Sequence, residues 1–384
     1  MNILFTARTL RSGGSERALI NTIKAFADQK YKITLLLEVY NSNTWKDEFP
    51  ENINIKELKL DNKLFYVFSP IVNPFKSKIG RIIFEKIKYY LNNILSHLHI
   101  GWNKRYDWVL NHALPQDDEY DLALDFYGYG NFMTAYIAKK VKAKQKATWC
   151  HCTSLAGLNK TYPYFLYYNK IFCVSNAIRN KFIDKYPQYK DKAEVLYNYI
   201  DVKNIQQNSL LPIEIKNIKF SILTIARFVK EKGFDIAIFA AKILKDLGYD
   251  FVWYFIGWGS EESKLQQMIK DNNLSDYVVI LGQKDNPMPY IRMVNLYVQP
   301  SRFEGFGLTV AEALVLKKTV IASDIDSFRE QIQSGENGYL VPVDPESFAN
   351  CIIDLMIGKK PMINSPSKIC STDLETLNKR LTDF

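Results

Sequence analysis

The stretch FSILTIARFVKEKGFDIAIFAAKILKDLGYDFVWYFIG, Phe220 to Gly257, decides the fold. FSILTIA (220–226) is a short, nearly continuous apolar run and reads as a buried strand. RFVKEKG follows as a loop, and Phe234 to Leu247 reads as a helix. FVWYFIG (251–257) is a second strand, closing on Gly257-Trp258-Gly259. A strand, a loop, a helix and a strand make one βαβ unit, whose ligands sit beyond the carboxyl ends of the strands. Downstream, Ser260 is expected to cap a helix with Glu261 and Glu262 in its first turn. VVILG (278–282), LYVQPS (296–301) and TVIASD (319–324) are the next strands. Upstream, NILFTA (2–7), a glycine turn at Arg11-Ser12-Gly13-Gly14-Ser15-Glu16, a helix over Arg17 to Ala27 and KITLLLEVY (32–40) repeat the unit. YDLAL (120–124), KATWC (146–150) and IFCV (171–174) are later strands of that half. The alternation predicts an α/β chain with parallel sheets. The polar stretch 201–218 is the expected linker, dividing the chain into residues 1–200 and 201–370 with a ligand cleft between the halves.

The 384 residues are 47% hydrophobic and 24% charged, a globular composition that excludes general disorder. No apolar run reaches the length of a membrane span, and MNILFTARTL lacks the basic start of a signal peptide. Five cysteines (Cys150, Cys152, Cys173, Cys351, Cys370) are an odd number without zinc-site spacing, so reduced thiols in the cytoplasm are expected. The net charge of +9 is concentrated in residues 63–105, where Lys63, Lys76, Lys78, Arg81, Lys86, Lys88, Lys104 and Arg105 face Glu85 alone. Within it, residues 79–98 have helical periodicity. Ile79, Ile82, Ile83, Ile87, Leu91, Ile94, Leu95 and Leu98 form an apolar stripe, with Arg81, Glu85, Lys88 and Asn92 opposite. With the neighbouring aromatics Phe65, Tyr66, Phe68, Phe75, Phe84, Tyr89 and Tyr90, this region is expected to contact an anionic membrane surface. No nucleic-acid recognition motif accompanies the charge.

The chemistry is concentrated in SRFEGFGLTVAEALVLKKTVIASD (301–324) and ARFVKEKGFD (226–235). Glu304 sits in a loop after a strand. Gly305-Phe306-Gly307 lets backbone approach a ligand, and a helix starting near Leu308 offers free N–H groups to a phosphate. Glu312 lies about one turn into that helix; carboxylates there suit neutral hydroxyls. Arg227 and Lys232 follow another strand end, and two cations with a helix start could neutralise a diphosphate without a metal. Singly, each residue has a plain structural role available: an exposed loop carboxylate, a solvated cation, a packed histidine at His151. Asp324 and Asp326 mimic a metal-binding Asp-x-Asp but read as a strand-end turn, so no metal is expected.

EGFGLTVAE resembles the signature of glycosyltransferase family 4, retaining enzymes of the GT-B fold with two facing Rossmann-like domains. LFTARTLRSGGSERAL, TWCHC, VLYNYID (195–201), ARFVKEKG and GENGYLVP (335–342) resemble further segments of that family, in the same order along the chain. The resemblance implies that Glu304 contacts the donor-sugar hydroxyls, Glu312 the ribose, and Arg227 and Lys232 the diphosphate. It places the backbone of Gly305, Phe306, Gly307, Leu308 and Thr309 against sugar and phosphate, and Gly282 and Gln283 near the base. His151 would approach the transferred sugar, and Gly13 and Gly14 the phosphate and acceptor. The N-terminal domain would take the acceptor, the C-terminal domain the nucleotide sugar, and 371–384 would be a helix crossing back. Tyr199, Ala226 and the Asp324-Ile325-Asp326-Ser327 turn depart from the family pattern, which usually has glycine there.

The expected activity is a metal-independent transfer of a hexose or N-acetylhexosamine from a nucleotide sugar, a uridine diphosphate sugar before others. The expected acceptor is a glycan, lipid-linked, at the inner face of the plasma membrane in cell-surface polysaccharide assembly. A sugar-nucleotide 2-epimerase of the same fold and a non-catalytic partner subunit are the alternatives. The second is disfavoured because Glu304, Glu312, Arg227 and Lys232 are all present.

Overall fold

A computed structural model of the chain describes residues 1–8, 10, 13–27, 31–38, 48–58, 77–113, 118–128, 130–151, 155–213, 215, 219–363 and 372–382. Arg11, Ser12, Lys63, Lys76, Cys152, Cys370 and the aromatics at 65, 66, 68 and 75 lie outside them. The chain forms two compact units, Met1–Tyr199 with Thr372–Phe384, and Ile200–Ser371.

The first unit is built on seven strands: β1 (Asn2–Ala7), β2 (Lys32–Leu37), β3 (Asn54–Glu57), β4 (Glu119–Asp125), β5 (Lys142–Cys150), β6 (Lys170–Cys173) and β7 (Ala193–Val195). All its pairings are parallel, in the order β3-β2-β1-β4-β5-β6-β7. Helices α1 (Gly14–Ala27), α2 (Lys78–His97), α3 (Trp102–Leu110), α4 (Phe132–Lys140) and α5 (Asn176–Lys185) accompany them. Gly14 is the first residue of α1, so the turn expected at Gly13-Gly14 gives way to helix earlier than Arg17. β1 and β4 are buried almost throughout, as strands covered on both faces must be. The strand order reverses between β1 and β4, the position where such sheets open a ligand crevice.

The second unit repeats the plan with α6 (Val202–Asn208), β8 (Phe220–Ile225), α7 (Phe234–Asp246), β9 (Phe251–Ile256), α8 (Glu262–Asp271), β10 (Val278–Gly282), α9 (Met288–Met293), β11 (Leu296–Gln299), α10 (Leu308–Val315), β12 (Thr319–Ser323), α11 (Asp326–Arg329), β13 (Tyr339–Val341) and α12 (Pro345–Met356). Its sheet is parallel, in the order β10-β9-β8-β11-β12-β13, and reverses between β8 and β11. Two expectations need correction. The linker 201–218 is partly helix: α6 buries Ile205 and is capped by the Asp201 side chain, which accepts from Asn204 N. Ser260 does not cap α8, which starts after Glu261 with no side-chain cap. The Glu262 N–H, which a Ser260 cap would use, bonds the Gly259 carbonyl at 3.3 Å instead.

The last helix, α13 (Leu374–Thr382), packs on the first unit. Leu377 and Leu381 are fully buried, Tyr31 Oη donates to Asn378 Oδ1 at 2.8 Å, and Arg380 donates to Glu194 at 2.6 Å.

Helix α2 turns its apolar stripe away from the protein. Only Phe84 is buried, and Lys88, Asn92 and Leu95 are the next most covered. Arg105, buried on α3, donates to Asn92 Oδ1 at 3.1 Å and to Ser96 Oγ at 3.0 Å. The helix is held by a largely polar face, while Ile79, Ile82, Ile83, Ile87, Ile94 and Leu98 lie 47–72% exposed. Amphipathic periodicity finds a stripe but does not say which side of it meets the protein.

Asp125, at the carboxyl end of β4, is fully buried. Thr134 Oγ1 and Thr148 Oγ1 donate to its Oδ2 at 2.6 and 3.0 Å. Burial raises its pKa from 3.8 to about 6 against those hydrogen bonds. A raised carboxyl favours the fold while protonated. That contribution is full below the unfolded pKa and is lost as pH rises through the folded one. At neutral pH the ionised group therefore costs stability, by about 2–3 kcal/mol from the size of the shift. Asp125→Asn can keep the threonine contacts. It is expected to unfold at higher temperature than wild type near pH 7.5, with the gap closing as pH falls below about 5. A constant gap across a pH series of thermal melts would show that ionisation is not the cause.

Candidate functional site

The residues picked out in the second unit converge at the carboxyl ends of β8 and β11, where the strand order reverses. The loop after β8 carries Arg227, which is exposed, and Lys232, which is half-buried. Phe228 anchors this loop: its ring packs on Phe234 at 4.8 Å, and Phe234 packs on Phe255 at 4.9 Å, tying the loop to α7 and β9. Gly233 closes the loop in a left-handed conformation, φ 70°, and opens α7. A Cβ there would lie 1.9 Å from the Pro300 carbonyl oxygen, so the β8 and β11 loops touch backbone to backbone.

The loop after β11 carries Glu304. Lys232 Nζ and Glu304 Oε1 form an ion pair at 2.7 Å, with side chains only 16% and 12% exposed. Ser301 Oγ donates to the same Oε1 at 3.0 Å. A second pair joins the loops: both Arg302 guanidinium NH groups bond Asp235, each at 2.7 Å, and Arg302 also donates to the Lys230 carbonyl at 3.0 Å. Arg302 holds the Asp235 carboxyl below its ordinary value although burial works against it. Sequence reading missed Arg302, Asp235 and Ser301. Partners that meet only through the fold leave no periodicity and no motif.

Gly305, Phe306 and Gly307 lead into α10. Gly307 is left-handed, φ 90°, and a Cβ on it would lie 2.5 Å from the Phe328 ring. Behind the turn, Gln331, 3% exposed, donates its Nε2 to the Phe306 carbonyl, and its own carbonyl accepts from Asn337 Nδ2 at 2.9 Å. Leu308 and Thr309 are the first two residues of α10, and their backbone N–H groups have no earlier helical turn to bond. Glu312, one turn on, is 8% exposed. Gly282, φ 69°, ends β10 with open space where a Cβ would sit, and Gln283 beside it is exposed. β9 lies between β10 and β8, so these two stand one strand further along the sheet from the β8 loop.

Asp324 and Asp326 are both taken by Arg329, at 2.6 and 3.1 Å. Among the described residues, no group of three or more His, Cys, Asp or Glu is placed to hold a metal.

His151 and the Gly13-Gly14 pair belong to the first unit. His151 follows β5, and its ring lies 4.7 Å from Phe126 and 6.1 Å from Trp149. Burial lowers its pKa from 6.5 to about 3, the backbone hydrogen bond with Phe126 opposing. Near neutral pH it is an uncharged imidazole, able to hydrogen-bond but not to serve as a cation. Gly13 accepts from Arg17 N through its carbonyl at 3.0 Å, placing it at the mouth of α1.

Residues 211–367 match the family model of the glycosyl transferases group 1. Among curated proteins, the chain is 36% identical over 157 residues to the N-acetylgalactosamine-N,N'-diacetylbacillosaminyl-diphospho-undecaprenol 4-alpha-N-acetylgalactosaminyltransferase of Campylobacter jejuni, covering 41% of this chain and 42% of that one. It is 31% identical over 153 residues to the poly(ribitol-phosphate) alpha-N-acetylglucosaminyltransferase of Staphylococcus aureus, covering 38% and 31%. The chain spans half or less of the length of these curated relatives. Among solved structures, Anabaena Alr3699/HepE in complex with UDP and glucose superposes with a TM-score of 0.67 at 17% identity, over 99% of this chain and 95% of that one. TarM of S. aureus, in complex with UDP and other ligands, superposes with a TM-score of 0.65 at 16% identity, over 93% and 92%. The likeness runs nearly end to end and shows the GT-B fold.

Gly233→Ala places a methyl group against the Pro300 carbonyl in a backbone conformation that alanine resists. A loss of about 2 kcal/mol or more in denaturant unfolding is expected. An unchanged midpoint would mean that the two loops are free to move apart.

Proposed function

Since residues 211–367 match the family model of the glycosyl transferases group 1, we propose that the chain is a retaining glycosyltransferase with a nucleoside-diphosphate sugar as donor, a uridine diphosphate sugar before others. It moves a hexose or N-acetylhexosamine to a glycan acceptor on a lipid. The observation that carries this reading is the Lys232–Glu304 pair at the strand-order reversal, a cation and a carboxylate side by side beside the start of α10. A diphosphate and a sugar ring ask for that arrangement: positive charge and amide N–H for one, a carboxylate acceptor for the hydroxyls of the other.

In this reading Lys232 turns from Glu304 to the diphosphate and Arg227, exposed on the same loop, joins it. The N–H groups of Leu308 and Thr309, with the backbone of Gly305 to Gly307, lie along phosphate and sugar. Glu304 receives the sugar hydroxyls, Glu312 the ribose, and Gly282 and Gln283 flank the base. In the reaction, the bond between the anomeric carbon and the β-phosphate oxygen breaks as the acceptor oxygen bonds to that carbon on the same face. The acceptor's proton passes to the leaving phosphate. The charge that develops on the diphosphate is what Lys232 and the helix-start amides stabilise. No metal is needed for that stabilisation. His151, neutral near pH 7, is read as a hydrogen-bonding group of the acceptor-binding half rather than a charge, and Gly13 and Gly14, at the start of α1, belong to the same half.

The acceptor proposal rests on α2. Its polar side is turned inward and its apolar side outward, with Lys78, Arg81 and Lys86 exposed beside Ile79, Ile82, Ile83 and Ile87. Exposed isoleucines flanked by cations fit the headgroup region of an anionic bilayer, entered from the side rather than crossed. No described helix is long and apolar enough to span a membrane. Our reading is peripheral placement at the inner face of the plasma membrane, on a lipid-linked acceptor, and the outward isoleucines and cations of α2 support it. The C. jejuni relative, by its name, acts on a diphospho-undecaprenol substrate.

Lys232→Ala is expected to lower turnover by about 10²-fold or more, measured as nucleoside diphosphate released from a panel of nucleotide sugars with and without lipid extract. Wild-type turnover in the folded variant would remove Lys232 from the reaction. Replacing Lys78, Arg81 and Lys86 with glutamate is expected to abolish co-sedimentation with vesicles of anionic phospholipid and leave nucleotide binding unchanged. Retained co-sedimentation would take α2 out of the membrane contact.

A further inference from the structure

Glu304 is the end of a chain of hydrogen bonds that starts in the core of the second unit. Tyr297 Oη, fully buried, donates to Gln299 Oε1 at 2.7 Å. Thr309 Oγ1, from the first turn of α10, donates to the same oxygen at 3.3 Å. Gln299 Nε2 donates to Ser301 Oγ at 2.8 Å, and Ser301 Oγ donates to Glu304 Oε1 at 3.0 Å. Lys232 stands 2.7 Å from that oxygen. Tyr297, Gln299 and Ser301 are each 0% exposed, so water supplies no alternative partners.

The polarity of this chain is determined by chemistry. An amide nitrogen only donates, so Ser301 Oγ accepts from Gln299 and has one proton left, which goes to Glu304. With the Gln299 amide reversed, Ser301 would donate to Gln299 and turn lone pairs toward a carboxylate, a repulsive contact in a dry site. Burial raises the Tyr297 hydroxyl far above its ordinary range, so it stays a donor at the far end. Every proton in the chain points toward Glu304.

We propose that Gln299 and Ser301 are positioning residues that orient Glu304, committing Oε1 inside the protein and presenting Oε2 to the hydroxyls of the donor sugar. The proposal rests on the reading of Glu304 as the sugar contact. Neither residue touches the donor. Their effect falls on the sugar part of the binding energy and not on the nucleotide part, which lies along Arg227, Lys232, α10 and the end of β10. Thr309 ties the device to the helix start: the hydroxyl that steadies Gln299 belongs to a residue whose backbone N–H is offered to phosphate.

The test is calorimetric titration of uridine diphosphate, uridine diphosphate glucose and uridine diphosphate N-acetylglucosamine into wild type, Ser301→Ala, Ser301→Thr, Gln299→Leu and Glu304→Gln. Thermal melts confirm that each variant is folded. For whichever sugar nucleotide binds wild type more tightly than uridine diphosphate, Ser301→Ala and Gln299→Leu are expected to weaken it by about tenfold and leave uridine diphosphate within about twofold. Ser301→Thr, which keeps the hydroxyl, restores the difference. In turnover, the same variants raise KM for the donor more than they lower kcat. Equal weakening of both ligands would mean that the chain only stiffens the unit, and would overturn the proposal. If Glu304→Gln weakens the sugar nucleotide while Ser301→Ala and Gln299→Leu do not, Glu304 acts without the relay and the proposal falls alone. If Glu304→Gln has no effect, or no uridine nucleotide binds wild type, the donor-site reading falls and takes the proposal with it.

Discussion

An ammonium and a carboxylate, each largely withdrawn from water and 2.7 Å apart, set the terms for the rest of the second unit. Neither charge is tolerable alone at that depth, so each loop must be held where the other can meet it. The surrounding structure reads as the means of doing so. Phe228 packs the β8 loop down, Gly233 lets the two backbones touch, Arg302 grips Asp235 through both nitrogens, and Ser301 adds a proton donor to Glu304. Under the proposed function, a diphosphate would take over the lysine and sugar hydroxyls would hydrogen-bond the carboxylate, so each buried group would exchange one polar partner for another.

The architecture was legible because parallel strands covered on both faces are written as continuous apolar runs, and both halves of the chain contain several. FSILTIA and FVWYFIG could hardly be anything else. The candidate site was legible by type and place: Arg227 and Lys232 follow β8, Glu304 follows β11, and Glu312 lies one turn into α10, among glycines. What joins them was not. Arg302 and Asp235, or Tyr297, Gln299 and Ser301, meet only once the chain has folded, and nothing in their local spacing distinguishes them from loop or strand residues. The same limit explains Ser260, a reasonable cap by composition, whose target N–H on Glu262 bonds the Gly259 carbonyl instead.

In helix α2 the apolar stripe was visible but the cause of its outward turn was not, since such a stripe is ordinarily buried against the protein. The buried guanidinium of Arg105 reverses it by offering three donors to the helix's polar side and to the Ile100 carbonyl. One desolvated cation thereby chooses which face is inside. The isoleucines are left outward not because the helix failed to pack but because a stronger demand, satisfying a buried charge, was met first.

The discontinuity of the first unit bears on how the protein is made. Leu377 and Leu381 complete a core whose other members come from the opening two hundred residues or so, and the whole of the second unit is encoded between them. On a ribosome, which releases about 5–20 residues each second, the nascent first unit must wait many seconds without its final helix while the second unit emerges and folds ahead of it. During that interval the surface that Leu377 and Leu381 will cover, and with it the Glu194 carboxylate destined for Arg380, is open to chaperones. The unit synthesised first is finished last.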